Sequence, residues 1–172
     1  VLCVALCMPM LSSCGNDNVY ELGPYSINEE EYCYLLGMYK KKILVSMGLD
    51  ESYLNRQIDS STTYGQYLES TYRAGFEQSV IALLYSQALF DEYELELSKE
   101  QKDTVNATAK AIVHAYGDFS EKKFNKIAKE YGFSADAIAT VYEKQAKESA
   151  VIQHLYGEKY SKLTETQKED YT

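Results

Sequence analysis

Apolar positions recur at helical spacing along most of the chain, most densely over residues 66–97. Leu68, Tyr72, Phe76, Val80, Leu84 and Ala88 fall four apart, with Ile81, Tyr85 and Leu89 in a second row beside them. That is the pattern of one broad apolar helical face. The stretch has no proline and one interior glycine, Gly75. A continuous helix there is about 45 Å long, more than the diameter of a small compact domain. The spacing therefore predicts an elongated helical body with arms or grooves, built around that helix. The alternative is two shorter helices broken near Gly75, although an interior glycine costs only about 1 kcal/mol.

Start and stop signals place further helices on both sides. Ile27-Asn28-Glu29-Glu30-Glu31-Tyr32 opens one, with Asn28 as cap, Glu31 at the third position and Ile27 stapling onto Tyr32. Its buried stripe reads Tyr32, Leu35, Leu36, Tyr39, Ile43 and Met47, and Gly48 ends it. Residues 49–65 are polar, with one short helix starting at Asp50. Ser98 and Gln101 form a capping box for a helix carrying Val105, Ala109, Ile112, Val113 and Tyr116, closed by Gly117. Phe119 precedes cap Ser120 and is placed to staple onto Phe124; that helix ends at Tyr131-Gly132. Phe133 precedes cap Ser134 and is placed to staple onto Ile138, opening a helix through Val141, Tyr142, Ile152, Leu155 and Tyr156 to Gly157. Thr164 with Gln167 opens a last helix. No run alternates with period two for long and no proline follows Pro24, so the predicted fold class is all-α.

The N-terminus carries a different signal. Residues 1–11 are almost wholly apolar, interrupted by Pro9, and lead into Leu11-Ser12-Ser13-Cys14-Gly15. The run is too short for a transmembrane helix but suits the apolar region of a signal peptide. Leu-Ser-Ser-Cys directly after it, and before polar Gly15-Asn16-Asp17-Asn18, resembles the lipobox of bacterial lipoproteins, in which the cysteine is acylated. The alternatives are an ordinary secretory signal and a hydrophobic N-terminal helix. On the lipoprotein reading residues 1–13 are a signal peptide, 14–27 a tether ending at Gly23-Pro24, and 28–157 the helical domain. Residues 158–172 are then a linker and the start of a helix leading to a downstream domain. Cys14 anchors the chain to the bacterial cell membrane on its extracytoplasmic side. Cys3 and Cys7 leave with the signal, so Cys33 remains as a small core residue without a disulfide partner.

Charge and candidate chemistry narrow the function. The net charge of −9 disfavours nucleic acid, whose phosphates would be repelled. Asp91, Glu92, Glu94 and Glu96 crowd the end of the long helix, where the macrodipole disfavours anions, so the helix is expected to fray or bend there. They read as a solvated face, with a cation or basic-client contact as the alternative. Lys40-Lys41-Lys42 reads as solvation wrapping across helix faces. His114 and His154 stand alone on helices, at no metal-ligand spacing. No phosphate loop, HExxH or GxSxG motif occurs, and no cofactor is implied. The unexplained feature is 17 tyrosines with no tryptophan. Tyr32, Tyr34 and Tyr39 crowd the first helix; Tyr64, Tyr67 and Tyr72 crowd the start of the long one. Either they pack the core, or a surplus offers amphipathic contact area to extended polypeptide. On the second reading Tyr34, Tyr39, Tyr64, Tyr67 and Tyr72 are the client-binding candidates.

These parts come in a suggestive order. A lipobox and tether precede a helix opened by Gly-Pro-Tyr-Ser-Ile-Asn-Glu-Glu-Glu-Tyr. A long helix then ends in Tyr93-Glu94-Leu95-Glu96-Leu97-Ser98-Lys99-Glu100-Gln101, and Ile152-Gln153-His154-Leu155-Tyr156-Gly157 leads into Leu163-Thr164-Glu165. The pattern resembles the N-terminal chaperone region of the SurA/PrsA-type extracytoplasmic foldases, similar in layout to the trigger-factor chaperone domain. Members commonly begin with an Asn-Gly turn before Ile-Thr; Leu22-Gly23-Pro24 and Ile27-Asn28 stand here instead. The resemblance implies a membrane-anchored surface holding non-native secreted polypeptides by apolar and aromatic contact. It also implies a following parvulin-type prolyl isomerase domain, whose catalytic residues have no counterpart in these residues. Three functions follow as expectations: a chaperone or foldase module, the scaffold region of a prolyl isomerase, or an adaptor for one folded partner.

Overall fold

The computed structural model describes residues 18–157 together with 161 and 162. The signal segment, Cys14 and the capping box at Thr164 lie outside the described residues. The chain is mostly helical: β1 (Asn18–Leu22), β2 (Tyr25–Asn28), α1 (Glu29–Ser46), a 3₁₀ turn (Glu51–Asn55), α2 (Tyr64–Glu92), α3 (Lys99–Gly117), α4 (Glu121–Tyr131) and α5 (Ala135–Tyr156). The short helix expected at Asp50 is that 3₁₀ turn, with the Asp50 carboxylate capping Ser52 N–H. The long helix is continuous through Gly75 and spans about 44 Å. A side chain at Gly75 would meet the Tyr39 hydroxyl at 2.7 Å, so the glycine admits α1 against α2 and does not break the helix.

Part of the expected tether is folded. Residues 18–28 form an antiparallel hairpin that pairs Tyr20 with Ile27 and Leu22 with Tyr25, with Val19 bulged out. Gly23, at φ +60, takes the first position of its two-residue turn, where glycine is favoured. Tyr20, Leu22, Tyr25 and Ile27 share one face, as period-two residues do, and pack on α2. Four residues spread over two short strands are too few for the alternation to stand out in the sequence.

Capping works as the sequence implies. Asn28 and Ser98 form reciprocal boxes with Glu31 and Gln101, and Ser120 and Ser134 cap α4 and α5. Thr63 with Gln66 adds a box at the start of α2 that the sequence reading missed. Two expectations fail between α3 and α4. Gly117 lies inside α3, and Asp118 and Phe119 take the left-handed conformation instead, at φ 49 and 58. That turn throws Phe119 outward, 84% exposed and beside His114, so it does not staple onto Phe124.

Helix α1 lies between two hydrophobic cores. Tyr32, Leu36 and Tyr39 face the hairpin and Phe76, Val80, Leu83 and Leu84 of α2. Tyr34 and Met38 face Ala109 of α3, Phe124 of α4, and Ile138 and Val141 of α5; Leu35 touches both cores. Met47, expected in the buried stripe, is exposed. A third cluster joins Phe90 and Leu97 to Val151 of α5. On α2 the second row is also not the expected one. Ile81 and Tyr85 face solvent, while Leu83, Gln87 and Phe90 are buried on the other flank. On α5, likewise, Ile152 and Leu155 are exposed and Val151 takes the buried position.

One polar seam crosses this interior. Lys144 Nζ donates to Glu31 Oε2 and to the Ser26 carbonyl, both at 2.6 Å. Glu31 Oε2 is also the capping-box acceptor of Asn28 N–H at 3.4 Å. Buried Gln87 donates to the Lys144 carbonyl at 3.0 Å, so β2, α1, α2 and α5 are tied at one point. Buried charge is tolerated only when paired and hydrogen-bonded in this way. Among the described residues no buried side-chain nitrogen or oxygen lacks a partner.

Candidate functional site

A groove of about 590 Å³ opens where α1, α3 and α5 diverge. Tyr34, Met38, Lys41 and Lys42 of α1 line one wall. Ile112, Ala115 and Tyr116 of α3 and Tyr142 of α5 line the rest. Its floor is aromatic. The Tyr34 ring lies 5.4 Å from Phe133 and 6.4 Å from Tyr142. Burial, then the neighbouring Tyr142 hydroxyl, pushes the Tyr34 phenol well above the ordinary tyrosine value, so it stays neutral. The charged lining residues are both lysines, set above apolar walls. A lining of this kind has room to bury apolar groups.

The five tyrosines singled out in sequence do not converge on it. Tyr34, only 5% exposed, is floor rather than surface. Tyr39 packs on Phe76 at 5.4 Å and, with half-buried Tyr72, lines a crevice between α1 and α2 of about 10 Å³. Tyr64 and Tyr67 sit at the start of α2, where Tyr64 packs edge-on to Tyr53 and its hydroxyl donates to Met47 Sδ at 3.4 Å. Tyr67 alone of the five is exposed. The groove residues outside that set, Met38, Ile112, Ala115, Tyr116 and Tyr142, come from three helices. Their helix faces are readable in sequence, but no local signal shows that those faces diverge.

The remaining candidates are quiet. Cys33 is half-buried, and burial together with Glu29 and Glu30 raises its thiol above the ordinary range, against a reactive thiolate. His154 stacks on Tyr93 at 4.9 Å and His114 is exposed. In the acidic cluster, α2 ends at Glu92, and Asp91 accepts a 2.7 Å hydrogen bond from the hairpin's Tyr25 hydroxyl. Lys40 of the lysine run pairs with Glu69 of α2 at 2.8 Å. Among the described residues no cluster of His, Cys, Asp and Glu could hold a metal ion, and no helix is long and apolar enough to cross a membrane. Comparison with protein families, curated proteins and solved structures finds no match to this chain.

Proposed function

We propose that this chain is a binding module for non-native, extended polypeptide. On this reading it is a chaperone or foldase unit held at the outer side of a bacterial cell membrane by lipid on Cys14. The observation that carries the proposal is the open groove of about 590 Å³ with its aromatic floor. Exported chains that have not folded present apolar side chains on extended backbone, and such a trough buries them without demanding one shape. The resemblance to the SurA/PrsA-type N-terminal region adds support. The likeness is one of element order: Gly23-Pro24 and Ile27-Asn28 stand instead of the Asn-Gly turn before Ile-Thr that members commonly carry. Binding is weak and polyvalent, because ordering a flexible client opposes each contact.

An aggregation assay with several unrelated unfolded proteins tests this. The purified chain is expected to slow their aggregation without accelerating prolyl isomerisation. Ala115→Arg, at an exposed position lining the groove, is expected to remove most of that effect while thermal unfolding stays unchanged. Isomerase activity in the chain would refute the division between holding and catalysis. Failure to protect any client, together with tight binding of one folded protein, would favour an adaptor.

A further inference from the structure

We propose that the outward face of α4, together with Phe119 at its start, lies on the anionic surface of a lipid bilayer. The proposal rests on the anchorage reading for its geometry and names the part of the molecule that meets the membrane. Helix α4 carries four lysines against two glutamates, in a chain whose net charge is −9. Lys122, Lys126 and Lys129 are spaced four and three apart, so they form one line along the helix. All three are exposed, while Phe124 and Ala128 are buried on the opposite side. Asn125 lies beside the line, and Glu121 and Glu130 stand at its two edges. Lys123 pairs with Asp118 at 2.7 Å; among the described residues the other three have no acid partner.

An aromatic ring stands at the start of that line. Asp118 and Phe119 both take left-handed backbone, which is unfavourable for residues with a Cβ, and the turn holds Phe119 84% exposed. On a bilayer such a ring sits at the boundary between headgroups and acyl chains, and lysines beside it meet the lipid phosphates. The acidity of the rest of the chain does not oppose this contact, because at physiological salt an exposed charge acts over about 8 Å.

The start of the folded chain selects a bilayer over an acidic polypeptide. Asn18 pairs with Asn28, the cap of α1, and Glu30 accepts a hydrogen bond from Ser134, the cap of α5. A side chain at Gly132, which closes α4, would lie 3.3 Å from Cys33 Sγ of α1. The C-terminal end of α4 therefore adjoins the start of α1 and of β1. Cys14 precedes Asn18 by four residues, a reach of at most about 14 Å. Lipid on Cys14 is thus held near one end of α4, and Phe119 marks the other end, about 17 Å along the helix. The three lysines lie between these two points.

Vesicle titration of the unacylated 172-residue chain tests the face without help from the lipid. The chain has no tryptophan, so Phe119→Trp supplies a single fluorescent reporter at an exposed site. Its emission is expected to shift to the blue with vesicles of phosphatidylcholine and phosphatidylglycerol, and not with phosphatidylcholine alone. Adding Lys122→Gln, Lys126→Gln and Lys129→Gln should weaken vesicle binding about a hundredfold, at roughly fivefold for each lysine. Raised salt should act in the same direction. No shift with anionic vesicles, equal shifts with both kinds, or a shift that survives the three substitutions overturns the proposal. So does a shift produced by polyglutamate where anionic vesicles give none, which would show an acidic protein as the partner. Acylation of Cys14 without the shift overturns the docking face and leaves the anchor standing; the shift without acylation supports the face and removes the anchor.

Discussion

Two glycines inside helices do opposite work. A side chain at Gly117 would sit 2.9 Å from Phe124 Cβ and 3.2 Å from its backbone nitrogen, where α3 gives way to α4. Backbone cannot step aside as a side-chain tip can, so Gly117→Ala is expected to cost about 1–3 kcal/mol. Gly37, in the middle of α1, has nothing within 4 Å of the same position and no left-handed backbone. Gly37→Ala should instead stabilise by about 0.5–1 kcal/mol, through helix propensity and a less disordered unfolded chain. Urea denaturation of the two variants, with unchanged slopes, checks the pair; equal signs would show that the α3–α4 junction is looser than drawn. Sequence placed Gly117 at a helix end but not in its role. A glycine after an apolar stripe reads equally as a left-handed cap or as a close approach, and only the position of Phe124 decides. The caps Asn28, Ser98, Ser120 and Ser134 were legible because each bond closes within three residues.

At the scale of elements, helices were readable and their partners were not. The i, i+4 row of α2 was correct through Leu68, Phe76, Val80 and Leu84, all buried. Which flank is covered beside that row depends on α5, whose Lys144 carbonyl takes the amide of Gln87 from 57 positions away. No local pattern contains that information: Tyr85 has the spacing of a buried residue and is 53% exposed. The groove was hidden for the same reason, since its walls come from α1, α3 and α5. The Glu31–Lys144 pair ties such elements together and has a measurable weight. Lys144→Ala leaves a carboxylate buried without its ammonium and is expected to cost about 3–5 kcal/mol. The Lys40–Glu69 pair is more exposed, and Lys40→Ala should cost under about 1 kcal/mol. Chemical denaturation separates the two. Similar losses would mean that the interior seam is better solvated than its geometry indicates.

For the whole molecule, anchorage and assembly are the open consequences. If Cys14 carries the lipid, the protein expressed with a complete signal incorporates a fatty-acid analogue and sediments with membranes; two acyl chains give stable attachment where one is marginal. Label that persists undiminished in Cys14→Ser would refute the lipobox assignment. The seam at Lys144 has a further consequence, in time. Its bonds to Ser26 and Glu31 join residues 118 and 113 positions apart, and the Ser134 hydroxyl bonds Glu30 across 104. Contacts of such long range form late, because the loop between them must close first. At about 5–20 residues per second of synthesis, roughly 6–23 s separate the appearance of Glu31 from that of Lys144. Throughout that interval α1 lacks the helix that seals one of its two apolar faces, and the hairpin lacks its tie to α5. Until α5 arrives, the newborn chain is itself an unfolded polypeptide of the kind its groove is proposed to hold.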